Sequence, residues 1–219
     1  MKSTETANYT AGGSGEKRIQ GRVNVRAMTV TAMLSALSFI LMYIEIPVPF
    51  MPPFIKLDLS DLPALIASFA FGPVSGVCVC LIKNLLHLPF SSTGGVGELS
   101  NFILSAIFVL PAGLIYSVKK SRRSALIGAL TGAVVMAVSS LATNYFIVYP
   151  VYYNFMPKEA ILNAYQAIYS GVDSIFDCLL VFNVPFTFAK ALISVIIVFP
   201  TYKYLSPLLK GRSGKRSAK

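Results

Sequence analysis

The chain has 219 residues, of which 55% are hydrophobic and only 13% charged, with a formal net charge of +10. Soluble domains carry about 25% charged residues, so an ordinary soluble domain is excluded and a membrane-embedded chain is expected. The positive balance does not indicate nucleic acid, because the basic residues cluster in two tails and one loop, with no basic face interleaved with aromatics.

Residues 1–26 are polar and become basic towards their end (Lys17, Arg18, Arg22, Arg26), which reads as a disordered cytoplasmic tail. The apolar run 27–46 follows. At 1.5 Å per residue it crosses a hydrocarbon core of about 30 Å, and its position after a polar tail reads as a span, not a cleavable signal. It carries Ala32 and Ala36, small residues one turn apart. That spacing lets a second helix approach closely, and it also arises incidentally. Pro47, Pro49, Pro52 and Pro53 then forbid a helix, with Phe50, Met51 and Phe54 among them. Irregular apolar backbone is not tolerated against lipid, so a lid or plug at the interface is expected.

Asp61-Leu62-Pro63 has the form of a helix start, an acid at the cap and proline in the first turn. Gly72-Pro73 bends the chain, and a further apolar run reaches about residue 88. The two runs together exceed one span and read as two helices. Residues 89–97 (PFSSTGGVG) form a loop and 98–116 a fourth span. Lys119, Lys120, Arg122 and Arg123 make a basic loop, and 124–149 is a fifth span with Gly128 and Gly132 as a packing face. Past Pro157, Ile161, Leu162, Tyr165, Ile168 and Tyr169 recur at helical spacing and predict an interfacial helix. The sixth span is 181–205, and 206–219 is a basic tail.

The expected architecture is therefore an all-α membrane protein, a compact bundle of six transmembrane helices over residues 27–205 with a Pro-rich outer loop between helices 1 and 2. Six spans place both tails and the basic loop on one side, which then holds 15 of the 19 Lys and Arg residues. The positive-inside rule makes that side, with both termini, cytoplasmic.

Polar groups gather towards the other side. Asp58 and Asp61 open the second helix, Lys83, Asn84 and His87 lie on the third, and Glu98 and Asn101 begin the fourth. Asn144 is near the end of the fifth, and Asn183 and Lys190 lie on the sixth. A charged side chain at mid-membrane costs at least about 2.5–3.5 kcal/mol, so Lys83 and Lys190 either face a partnered interior or snorkel outward. Asp61 is equally readable as a helix cap. The collective asymmetry points to an outward-opening polar pocket. Nearby aromatics (Phe50, Phe54, Phe90, Tyr145, Tyr149, Tyr152, Tyr153) suit a flat ligand as a group, although each alone also fits an interface belt. Three cysteines and one histidine make neither a disulfide framework nor a metal site. The sequence lacks HExxH and GxSxG, and its GGVG loop lacks the GK[ST] of a phosphate-binding loop, so neither catalysis nor ATP hydrolysis is expected of this chain.

The run KLDLSDLPALIASFAFGPVSGVCVCLIKNLLHL, followed by SSTGGVGELSNF, resembles the riboflavin-specific substrate-binding (S) component of energy-coupling factor (ECF) transporters. With the Pro-rich loop, the resemblance covers about residues 27–205. It implies a prokaryotic cell-membrane protein that captures riboflavin from outside, carries no cofactor of its own, and docks on a transmembrane coupling subunit with two ATPase subunits. It assigns Ala32 and Ala36 to that docking, 47–57 to a gate over the ligand, and Asn144 and Lys190 to the flavin ring. Phe54, Lys56, Asp58, Asn84, Glu98 and Asn101 are further pocket candidates from the residues themselves, with Lys83 and Asn183 as braces behind them. FMN or another vitamin is the alternative ligand. A small intramembrane enzyme using Glu98 or Lys83 is the alternative from another class, and a stand-alone carrier is a third.

Overall fold

A computed structural model of the chain describes residues 25–209. The tails expected to be disordered therefore lie outside the described residues, except for 25–26 and 206–209, which are helical.

Helix α1 is Val25–Tyr43 and buries only Ser35, Ser38 and Met42. The proline-rich segment then forms a small hairpin. Its strands, β1 (Ile46–Pro47) and β2 (Lys56–Leu57), pair antiparallel, Ile46 opposite Leu57 and Pro47 opposite Lys56. Phe50, at its tip, has a left-handed φ of 65° and an exposed ring. Helix α2 is Asp61–Phe71, with Pro63 in its first turn. Gly72 takes φ 99°, a backbone conformation that L side chains rarely adopt, and Pro73 opens helix α3, Pro73–His87. The two-helix reading of this stretch holds.

The all-α membrane bundle is present, and its expected second span is a short helix. Among the described residues, five helices are long and apolar enough to cross a membrane by length and composition, and α2, apolar but only 11 residues long, falls short of that length. It is about 16 Å long, half a hydrocarbon core. The chain from β2 folds inward to meet the start of α2, where the Ser60 carbonyl accepts a hydrogen bond from Ser38 Oγ of α1 at 2.5 Å. Asp58, Ser60 and Asp61 are all buried. Irregular backbone can lie at that depth only because protein covers it.

Helix α4 is Val96–Val118. Helix α5 spans Arg122–Tyr152, with a π segment at Asn144–Val148. Helix α6 is Lys158–Gln166, the expected short helix, and buries Ile161 and Tyr165 one turn apart. Helix α7 opens with Ile175–Cys178, passes through a π segment at Leu179–Asn183 and ends as Val184–Leu209. It begins six residues before the expected span, which sets Asn183 and Lys190 deeper than hydropathy alone suggested.

Two cores divide the bundle. At the Gly72 end, α2 packs among α1, α3, α4 and α7, and the core there includes Leu65, Ala67, Phe69, Phe108, Ala112, Ala133 and Val195. Here α4 and α5 touch backbone to backbone: a Cβ added at Gly128 would sit 2.7 Å from the Ala112 carbonyl oxygen. Gly132 meets the Phe108 carbonyl in the same way, so the predicted packing face is present. At the hairpin end the second core is aromatic, with Tyr149, Tyr152, Tyr165 and Phe182 joined by Phe54 and Met51 of the hairpin loop. The cavity described next lies between these two cores.

Candidate ligand-binding site

Four elements converge on a cavity at the hairpin end that holds about 720 Å³ of space, its open mouth included. The hairpin supplies Phe54, Ile55 and Lys56. Helix α4 supplies Gly97, Ser100, Asn101, Leu104 and Ser105. Helix α5 supplies Met136, Asn144, Val148, Tyr149 and Tyr152, and α7 supplies Asn183, Phe186, Thr187 and Lys190. The size is that of a small-molecule pocket, and the apolar and aromatic lining with a few amides matches the usual composition.

Both π segments lie at the level of the cavity. A π turn adds a residue to the helical repeat and re-aims the side chains around it, and such turns occur at functional sites. Asn144 opens the segment in α5 and Asn183 closes the one in α7, and both line the cavity. Asn144 Oδ1 accepts a hydrogen bond from Ser100 Oγ at 3.3 Å.

Beneath the cavity lies a buried charge network. Lys190 Nζ donates to Asp58 Oδ2 at 2.8 Å and stands 3.8 Å from Asp61 Oδ2. Lys83 Nζ donates to Asp61 Oδ1 at 2.7 Å and to Ser60 Oγ at 2.5 Å. Asn101 Nδ2 donates to Asp58 Oδ2 at 3.2 Å, and Ser105 Oγ is within reach of both Asp61 Oδ1 and Asn101 Oδ1. Two lysines face two aspartates, so the cluster carries no net charge. Each charge keeps a partner, as ionised groups inside a membrane protein must. Lys83 and Lys190 therefore do not snorkel, and Asp61 spends its carboxylate on Lys83, not on capping α2. At the mouth, Lys56 Nζ is ion-paired with Glu45.

Phe54, Lys56, Asn101, Asn144 and Lys190 thus line the cavity, as does Asn183, which the sequence reading placed behind it. Three other candidates stand apart. Asp58 lies under Lys190 as its counter-ion. Asn84 donates its amide to the Cys80 carbonyl within its own helix at 2.7 Å. Glu98 turns aside to His87 Nδ1 (2.8 Å) and Ser91 Oγ (2.6 Å), fastening the loop between α3 and α4. Lys83 is fully buried beneath the cavity. Ala32 and Ala36 are exposed together on α1, away from the site.

Sequence reasoning passed over Ser60, Ser105 and Thr187, hydroxyls inside apolar runs. Ser105 was detectable, since it falls one turn after Asn101 on the same helical face. Tyr165 was noted only for its spacing. It is fully buried, its hydroxyl donates to Asn183 Oδ1 at 2.7 Å, and it lies 2.5 Å from the hydroxyl of Tyr149. Burial pushes the Tyr165 phenol well above its ordinary value, so it stays protonated.

The arrangement resembles known proteins closely. The family model described as ECF transporter, substrate-specific component, matches residues 26–202. The riboflavin transporter RibU of Staphylococcus aureus (strain TCH60) is 36% identical over 198 residues, covering 90% of this chain and 98% of that protein. The riboflavin transporter FmnP of Bacillus subtilis (strain 168) is 28% identical over 193 residues, covering 86% and 96%. Among solved structures, the S component of a bacterial ECF transporter superposes with a TM-score of 0.67 at 34% identity, covering 86% of this chain and all of that one. ThiT from Listeria monocytogenes superposes with a TM-score of 0.59 at 13% identity, covering 84% and 97%, which speaks for the fold alone.

Proposed function

The chain belongs to the substrate-specific components of ECF transporters, and from that premise we propose that it binds riboflavin in the cavity between the hairpin, α4, α5 and α7. The family consists of transporter components, not enzymes, and the long apolar helices make this member a multi-pass membrane protein.

The observation that carries the ligand reading is the charge balance of an amide- and aromatic-lined cavity. Lys190 is matched by Asp58, and Lys56 by Glu45. Neither of the two lysines that line the cavity is left over as a counter-ion for an anion. Riboflavin is uncharged near neutral pH and needs none. Asn144, Asn183 and Lys190 offer hydrogen bonds to the heterocycle edge, Phe54, Phe186 and Tyr152 offer ring faces and edges, and Ser100, Asn101 and Thr187 suit the ribityl hydroxyls. The relatives named above as riboflavin transporters support the same ligand. The hairpin, which contributes Phe54, Ile55 and Lys56, acts as the gate.

Transport requires an energy source outside this chain. The partners are a transmembrane coupling subunit and two ATPase subunits, approached through the exposed Ala32–Ala36 face of α1. The basic loop around Lys119–Arg123 faces the cytoplasm together with both tails, residues 1–26 and 206–219, and the cavity opens outward. Riboflavin is cargo on this reading, not a cofactor.

Purified protein should carry flavin absorbance, or acquire it on mixing with riboflavin; a colourless protein that takes up no flavin refutes the ligand. Ala32→Trp should block assembly with the coupling subunit and leave flavin binding intact. Normal assembly of that variant removes α1 from the docking surface.

A further inference from the structure

Lys119, Lys120, Arg122 and Arg123, all exposed, carry the chain from α4 into α5 at the Gly72 end. The sequence has no acid between Glu98 and Glu159. Among the described residues the ion pairs belong to Glu45, Asp58, Asp61 and Glu98, and none of these four cations shares in one. The loop is therefore a patch of positive charge without an internal counter-ion.

Arg122 lies against the side of the bundle. Its guanidinium carbon stands 5.8 Å from the centre of the Phe199 ring of α7, within cation–π range. Phe199 is 37% exposed and sits at the end of the membrane-spanning stretch Ile175–Pro200. The same ring lines a cleft between α2, α5 and α7 of about 230 Å³, its open mouth included. Every residue lining that cleft is apolar, Phe69, Leu126, Ala129 and Val195 among them, and the cavity at the hairpin end shares none of them.

A cation and an apolar cleft that meet at one ring match an amphiphile with an anionic head. A soluble anion would use the arginine and leave the cleft unfilled. A plain hydrocarbon would leave the arginine unmatched. In a chain that spans a membrane the amphiphile at hand is a phospholipid, and a guanidinium fork suits phosphate oxygens.

We infer that the Arg122–Phe199 corner binds one anionic phospholipid, with its phosphate on Arg122 and the start of an acyl chain in the cleft between α2, α5 and α7. Lys119, Lys120 and Arg123 add attraction to the headgroup. The site is separate from the cavity and stands whether or not that cavity takes riboflavin.

The test is a lipid titration of the purified full chain in mild detergent, read by native mass spectrometry. Phosphatidylglycerol and phosphatidylcholine with the same acyl chains are compared. The wild type should hold phosphatidylglycerol about fivefold more tightly, the effect of one basic residue near an anionic headgroup. Arg122→Gln, an exposed replacement that leaves the core intact, should remove most of that preference. Leu126→Phe fills the cleft and should weaken both lipids while keeping their ratio. Equal affinity of the wild type for the two lipids overturns the inference, as does an unchanged ratio in Arg122→Gln. Unaltered binding of both lipids by folded Leu126→Phe overturns the seating of the chain in the cleft. An Arg122→Gln protein that keeps the lipid ratio but no longer assembles with the coupling subunit makes the loop a protein-docking surface and overturns the lipid site.

Discussion

The two ends of the bundle are built by opposite rules. At the Gly72 end, glycine and alanine bring α4 and α5 into backbone contact and α2 is buried nearly all round. At the hairpin end, two helices widen into π turns, a proline-rich hairpin replaces a helix and tyrosines fill the space. The first end cannot shift by a fraction of an ångström without collision, since interiors are packed to crystal density. The second has an opening, polar groups and a hairpin with few backbone bonds of its own. The comparison teaches that the protein separates rigidity from recognition between the two ends of its bundle. The four-charge network of Lys83, Asp61, Lys190 and Asp58 is the seam between them.

The seam should give the largest effect. Asp61→Leu leaves Lys83 buried with hydroxyls only, and breaking a buried pair by removing one partner costs about 3–5 kcal/mol. Thermal unfolding of the ligand-free protein should show a drop of that order; a change under about 1 kcal/mol would mean that the charges are not the fold's seam. Next comes Gly132→Val at the packed end. Its side chain would strike the Phe108 carbonyl region, and overpacking costs about 1–3 kcal/mol. Stability should fall while flavin affinity, measured where the variant is folded, stays within a factor of two or so. Asn144→Ala should do the reverse, weakening flavin binding about tenfold, on the order of 1.4 kcal/mol, with the unfolding midpoint unmoved. Wild-type affinity there would remove Asn144 from the site, and the same holds for Lys190→Ala, although that variant also strands Asp58. Smallest is Glu45→Gln at the mouth. The exposed pair with Lys56 contributes about 0–1 kcal/mol. Freeing Lys56 should nonetheless raise the affinity for FMN relative to riboflavin a few-fold in a competition titration, and an unchanged ratio would show that mouth charge does not set selectivity.

The packed end was the more legible in sequence. Hydropathy, Gly72-Pro73 and the Gly128/Gly132 spacing are local signals, and local signals suffice where helices simply pack. Where the chain leaves that regime, sequence told less. The half-length of α2 was hidden because the segment before it dips inward, and nothing local marks Ser60 as the partner of Ser38. The early start of α7 was hidden by Asp177, which lowers hydropathy in what proves to be the helix's first turn. Polar positions were found because charge in an apolar run is conspicuous, but their directions were not. Asp58 and Lys190 are 132 residues apart in sequence, and only the fold pairs them. Glu98 and Asn101 share a helical face, yet one turns to His87 and the other to Asp58.

The central claim is that the open end holds a neutral flavin. A fluorescence titration of the purified full chain with riboflavin, FMN and thiamine in parallel tests it most directly. The account predicts saturable quenching of riboflavin at one site per chain, weaker binding of FMN, and no displacement of riboflavin by thiamine. No riboflavin binding, or tighter binding of FMN than of riboflavin, would contradict it.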